Sequence, residues 1–197
     1  ASMENPGDLC TGTSDVLNLS AQVDLIQALQ PDVTSIGIIY TTSEPNSISQ
    51  LEQLRALAAD RGITVEAAGI QNDADIPAAA AALVQKVDCI NNFTDNKVVN
   101  NLSILLEAAS GAGIPVYGSE VEQVKNGCIA SMSIDYMALG KVTGEMAVSV
   151  LSGTNPATLA VKTISDANPV LNPEVMEALG IAVPAGYENA EMVSAAE

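Results

Sequence analysis

Histidine and tryptophan are absent from the 197 residues of this chain, and phenylalanine occurs once, at Phe93. Without an imidazole, the Ser-His-Asp and Cys-His nucleophile arrangements, histidine metal sites and the commonest general base near neutral pH are excluded. Aromatic residues make up 3% of the sequence, too few for the stacking platforms that read single-stranded nucleic acid, so the core has to be aliphatic. Cations are scarce as well. Seven Lys and Arg face 24 Asp and Glu, and the net charge of −17 repels phosphate backbones and anionic membrane surfaces. Nucleic acid is therefore not an expected partner.

The three cysteines, Cys10, Cys89 and Cys128, show no CxxC spacing, which argues against a disulfide framework and a zinc knuckle and allows one bridge at most. Cys89 and Cys128 fall in predicted strands, where a thiol behaves as a small hydrophobe rather than as a proton-transfer group. The longest apolar stretch, Ile76 to Val84, is far short of the ~20 residues a membrane span needs, and the opening residues lack a basic and an apolar leader segment. Neither GxGxxG nor GxxxxGK[ST] occurs, so the phosphate cradle of the nucleotide-binding folds is missing and no cofactor is expected. Metal ligation is not expected either. The Asn-x-Ser/Thr triplets at Asn18, Asn92 and Asn101 occur in an Asn-rich chain and carry little weight.

What is present is size and a rhythm. A chain of this length with 48% apolar residues can bury roughly 70% of its unfolded surface in one core. A short β-branched run, a polar loop and ten to sixteen residues of helical periodicity recur, which predicts βαβ units and a mostly parallel sheet. Strands are expected at Ser35 to Tyr40, Ile63 to Ala68, Val87 to Asn91, Ile114 to Tyr117 and Cys128 to Met132. Helices are expected at Leu17 to Leu29, from Ser47 as N-cap to just before Gly62, at Asp73 to Gln85, Lys97 to Ser110, from Tyr136 up to Gly153, and at Glu174 to Leu179. Residues 154–197 hold four of the nine prolines and an acidic, Ala-rich tail, and read as partly disordered.

In an open parallel sheet, ligands bind outside the carboxyl ends of the strands. The loops predicted there are polar: Thr41 to Ser47, Asn92 to Asn96, and Gly118 to Glu120. Each of these residues is also a common cap or turn former. Asp95 and Glu120 could pair as acid and base, but neither has a neighbouring Lys or His to divide the roles, so an enzyme is not expected.

Several segments carry a resemblance. They are Thr11 to Asp15, Ile36 to Tyr40 with Ser43 to Ser47, Val87-Asp88, Thr94 to Asn96, Ile114 to Gly118, and Ile134 to Tyr136 with Leu139-Gly140 and Thr143 to Ala147. In order and spacing they resemble the ABC-transporter solute-binding proteins related to the tryptophan/tyrosine-binding lipoproteins, over about nine-tenths of the chain. The resemblance implies an α/β fold, Rossmann-like, with a parallel sheet and helices on both faces, as in lobe 2 of a type I periplasmic binding protein. It implies a hinge segment at 1–16, lobe 2 at 17–132, and at 133–197 a crossover helix and C-terminal segment that pack partly on lobe 1. Most of lobe 1, the signal peptide and the lipid-bearing Cys would lie outside this sequence.

By the same resemblance the protein is an extracytoplasmic or membrane-anchored lipoprotein whose partners are a small solute, an aromatic or apolar amino acid, and an ABC permease. The pocket wall would comprise Asn46, Ser47, Phe93, Thr94, Asp95, Asn96, Ser119, Glu120 and Asp135. Asp95, with Glu120 or Asp135, would pair an α-ammonium, and Ser47 would meet a carboxylate; Phe93, Tyr40 and Tyr117 could supply aromatic contact. Two other classes fit the α/β pattern: a small-molecule-converting enzyme, or the effector-binding domain of a transcription regulator whose basic head would lie outside the chain. The broad apolar arc of the helix from Tyr136 to Leu151 leads to one more expectation, a homodimer of the chain on its own.

Overall fold

The computed structural model describes residues 2–7, 9–164 and 167–194. In chain order they form β1 (Thr13–Ser14), α1 (Leu19–Leu29), β2 (Ser35–Thr41), α2 (Pro45–Ala59), β3 (Thr64–Ile70), α3 (Ile76–Leu83), β4 (Cys89–Asn91), α4 (Asn96–Asn100), α5 (Leu102–Ala112) and β5 (Val116–Tyr117). There follow α6 (Val121–Lys125), β6 (Ala130–Ile134), α7 (Tyr136–Leu151), β7 (Lys162–Thr163), β8 (Ala167–Leu171), α8 (Pro173–Leu179) and β9 (Glu191–Met192). Seven strands make one sheet in the order β3-β2-β4-β5-β6-β8-β9, with parallel pairing along β3-β2-β4-β5-β6, and β1 pairs with β7 separately.

The strand order fixes the layers. The chain passes from β2 to β3 in one direction and returns across β2 to β4, so two right-handed crossovers put α2 and α3 on opposite faces. Along β2, alternate side chains face opposite sides. Ile36 and Ile38 share one face and Gly37 and Ile39 the other, and all three isoleucines are buried. A Cβ on Gly37 would lie 2.9 Å from Leu83 Cγ and 3.0 Å from Val87 Cγ2, so only glycine lets α3 approach the sheet this closely. Below that strand Ile39, Ile70, Ile76, Leu83, Ile90 and Leu105 belong to one aliphatic cluster. This is the aliphatic α/β fold expected from the sequence.

Local chemistry accounts for the departures. The helix predicted over Lys97 to Ser110 is two helices, because Asn101 leaves the helical region (φ −117, ψ 24) and its Nδ2 donates back to Lys97 O at 2.9 Å. The helix predicted from Asp73 begins as a 3-10 turn at Asp73–Asp75, closed by a capping box between Asn72 and Asp75, and α3 ends at Leu83. Ser47 is not an N-cap: α2 starts two residues earlier, with Glu44 as the cap residue and Pro45 in its first turn. Cys128 precedes β6 rather than lying in it, although both Cys89 and Cys128 are buried and all three cysteines are free.

The tail is ordered over its described part. β8 and β9 extend the sheet, and Asn172 caps α8 by accepting from Glu174 N and Val175 N while its Nδ2 donates to Val124 O. The described residues divide into two compact units, those of 2–18 with 134–168, and those of 19–133 with 169–194. The described residues of 169–194 group with the larger unit, where β8 and β9 belong to the seven-stranded sheet. In the smaller unit, Thr13 Oγ1 meets Thr143 Oγ1 at 2.7 Å and Thr11 Oγ1 donates to Leu159 O. There α7 leaves Met137, Val148 and Leu151 exposed. No helix among the described residues is long and apolar enough to cross a membrane.

Candidate ligand-binding site

From β2 the chain turns to one side of the sheet and from β4 to the other, so the topological switch lies between these strands, at the carboxyl ends Thr41 and Asn91. The two loops that leave there are tied by one carboxylate. Asp95 Oδ2 accepts from Thr41 N and from Ser47 Oγ, each at 2.7 Å, and Oδ1 accepts from Thr41 Oγ1 at 2.8 Å and Val98 N at 3.3 Å. Asp95, Thr41 and Ser47 are all fully buried. Burial pushes the Asp95 carboxyl up, but the Thr41 N–H, the two hydroxyls and the Val98 N–H together outweigh it and hold the group below the usual carboxylate range.

A second network closes the β4 and β5 ends. Gln123 Oε1 accepts from Asn92 Nδ2 at 2.9 Å and from Ser119 N at 3.3 Å, and Ser119 Oγ donates to Asn92 O at 2.6 Å. On α1, Gln22 Nε2 donates to Asn91 Oδ1 (2.8 Å) and Gly118 O (3.0 Å), while its Oε1 accepts from Met132 N at 2.8 Å. One side chain thus clips β4, the end of β5 and β6. Asn91 Nδ2 and Asn92 Oδ1 are buried without a hydrogen-bond partner.

These facts redistribute the expected wall. Asn46 and Asn96 are exposed on the first turns of α2 and α4, Thr94 is half-buried, and Glu120 is half-buried. Glu120 caps α6 by accepting from Glu122 N and Gln123 N, each at 2.8 Å. Ser47, Asp95 and Ser119 lie behind that surface with their polar atoms engaged internally. The carboxylate expected to hold an ammonium is therefore surrounded by four donors and has no surface of its own to offer. Phe93 and Tyr117 are completely buried, and Tyr117 OH donates to Gln30 Oε1, so of the expected aromatic contacts only half-buried Tyr40 retains exposure. Asp135 belongs to the other unit, where it caps α7 by accepting from Ala138 N at 2.9 Å.

Gln22 and Gln123 were not among the sequence candidates. Gln22 had a signal: it lies three residues after Leu19 and four before Ile26, on the buried stripe of an otherwise aliphatic helix face. Gln123 had none, because α6 is too short for a periodicity. Among the described residues no three His, Cys, Asp or Glu side chains gather to hold a metal ion.

Residues 1–191 match the family model described as ABC transporter substrate binding protein. The chain belongs to that family. It is 34% identical over 178 residues to the tyrosine-binding protein of Clostridioides difficile, covering 90% of this chain and 52% of the relative. A Streptococcus pneumoniae ABC domain solved in complex with L-Trp superposes with a TM-score of 0.90 at 33% identity, covering 98% of this chain and 68% of that one. A ligand-free, open substrate-binding protein with adhesive properties from Clostridium difficile gives 0.81 at 33% identity, over 99% and 66%. A LacI-family regulator from Arthrobacter, at 20% identity and a TM-score of 0.63, shares the fold. The chain spans about half the length of the curated relatives it matches.

Proposed function

We propose that these residues form the second lobe and crossover of an extracytoplasmic, lipid-anchored receptor that delivers an aromatic or other apolar L-amino acid to an ABC permease. The observation that carries this reading is the joint likeness to a tyrosine-binding protein and to a domain holding L-Trp, each at about one-third identity. The polar loops at the switch point supply a surface suited to a zwitterion: Asn46, Thr94 and Asn96 offer amide and hydroxyl groups, and Glu120 keeps lone pairs beyond those used in its cap. In this reading Asp95 acts behind the wall. It fixes the loops after β2 and β4 so that their outer residues meet the ligand in one geometry, which reduces the ordering cost of binding.

Calorimetric titration tests this. The full-length protein carrying these residues should bind L-Tyr or L-Trp with micromolar or tighter affinity and release it unchanged, whereas glucose and glycine should give no heat. This chain alone should bind at millimolar affinity or more weakly, because a single wall leaves a small solute in water. Equal affinity for the sugar, or chemical conversion of the amino acid, would overturn the reading.

A further inference from the structure

An unexplained feature of the bigger unit lies at the opposite end of the sheet from the ligand loops. A hollow of about 460 Å³ opens beside the amino ends of β2, β4 and β5, walled by Val33, Val87, Ile114, Pro115, Leu179 and Ile181. A second hollow, of about 560 Å³, shares Gly113, Ile114, Pro115 and Leu179 with it and continues between α5 and α8 past Leu106 and Val175. The shared wall makes the two hollows adjoin as one groove, mixed in polarity around Asp32 and Asp88 and mainly apolar between α5 and α8.

Its charges have one sign. Asp32 and Asp88 line the first hollow and Glu174 the second, and among the described residues no Lys or Arg lines either. Asp88 is held in place: its Oδ2 accepts from the N–H and hydroxyl of Thr34 (both 2.8 Å) and of Ser35 (both 2.9 Å). All four bonds fall on one oxygen, so Oδ1 keeps its lone pairs while the carboxylate cannot swing away. Aliphatic walls beside a fixed carboxylate and a second, exposed one are complementary to an aliphatic side chain that has a Lys or Arg beside it. The length of the groove favours a stretch of polypeptide over a single small amine.

We propose that this groove docks an extended, cationic segment of a partner protein, with a leucine-like side chain between Val33, Pro115 and Leu179 and a neighbouring Lys or Arg on Asp88 and Asp32. The face lies at the amino ends of the strands, so the segment binds without covering the loops that carry the proposed ligand site. The −17 net charge draws such a partner in from a distance. The inference does not depend on which solute the other edge takes.

The test uses a peptide of three Gly-Leu-Lys repeats, the same peptide with Glu in place of Lys, and butylamine. The expected result is that the Lys peptide moves the amide resonances of Asp32, Val33, Ile114, Leu179 and Ile181, and that its affinity falls severalfold in about 0.5 M salt. Asp32→Lys and Leu179→Glu should each weaken it about tenfold, while Glu52→Lys, which changes the net charge equally on exposed α2 surface, should leave it within about twofold. Circular dichroism melting of each variant checks that the fold is intact. Shifts elsewhere, equal binding of the Glu peptide, equal loss with Glu52→Lys, or the same shifts at the same affinity from butylamine would overturn the proposal.

Discussion

Ser47 Oγ donates to Asp95 Oδ2 across 2.7 Å, joining the first turn of α2 to the loop after β4. Two strands that diverge at the switch point are thereby fastened at their carboxyl ends by a serine and an aspartate 48 positions apart. Asp95→Asn should cost about 3 kcal/mol in urea unfolding, because it leaves the Thr41 N–H or a hydroxyl without its charged acceptor in a buried place. Ser47→Ala should cost about 1 kcal/mol, since three donors remain.

Acid should act through the same group. The Asp95 and Asp88 carboxyls are both held below their ordinary values, Asp88 mainly by the Thr34 N–H. A lowered folded-state pKa contributes stability that is complete above the unfolded value, about 4, and is lost as pH falls through the folded one. Melting temperature followed from pH 7 to 2 should hold level to about pH 5 and then decline, and Asp95→Asn should make the decline shallower.

Gly37→Ala should destabilise by about 1–3 kcal/mol, because the new methyl meets Leu83 and Val87 at or below 3.0 Å. Leu83→Ala should itself be costly, yet the double variant should lose less than the sum of the two. Chemical denaturation of the four proteins of this cycle reads the coupling directly.

Thiol reactivity should separate the three cysteines. Cys10 is exposed, whereas burial pushes the Cys89 and Cys128 thiols well above the ordinary range and keeps reagents from them. Ellman's reagent should titrate a single thiol quickly in the native protein and all three in guanidinium. Cys10→Ser should abolish the fast phase.

The sheet, its order of helices and the polar edge were legible because aliphatic periodicity and strand-end polarity follow directly from burial. The roles of the edge residues were not. Asp95 reads as a ligand anchor in sequence because its donors come from residues 41, 47 and 98, and no local pattern announces that three separated segments converge on one carboxylate. The family resemblance puts Phe93 on the pocket wall, yet the side chain lies in the core, where its area yields more than a surface contact would. The strands β8 and β9 escaped notice because each is short and Pro169 and Asn168 blur the first. Their pairing with the sheet is a tertiary effect, and propensity says little about strands of this length.

Gln22 has a consequence in time. The three groups it binds lie 69, 96 and 110 residues further along the chain, so its hydrogen bonds cannot close until β4, β5 and β6 are side by side. Closing loops of that size costs chain entropy before the contact repays any of it, and the expectation is that the clip closes late in folding. Gln22→Met should therefore leave the refolding rate almost unchanged and speed unfolding, a φ-value near zero for a side chain at the centre of the finished sheet. The lifetime of the native state, rather than the route to it, is what this glutamine sets.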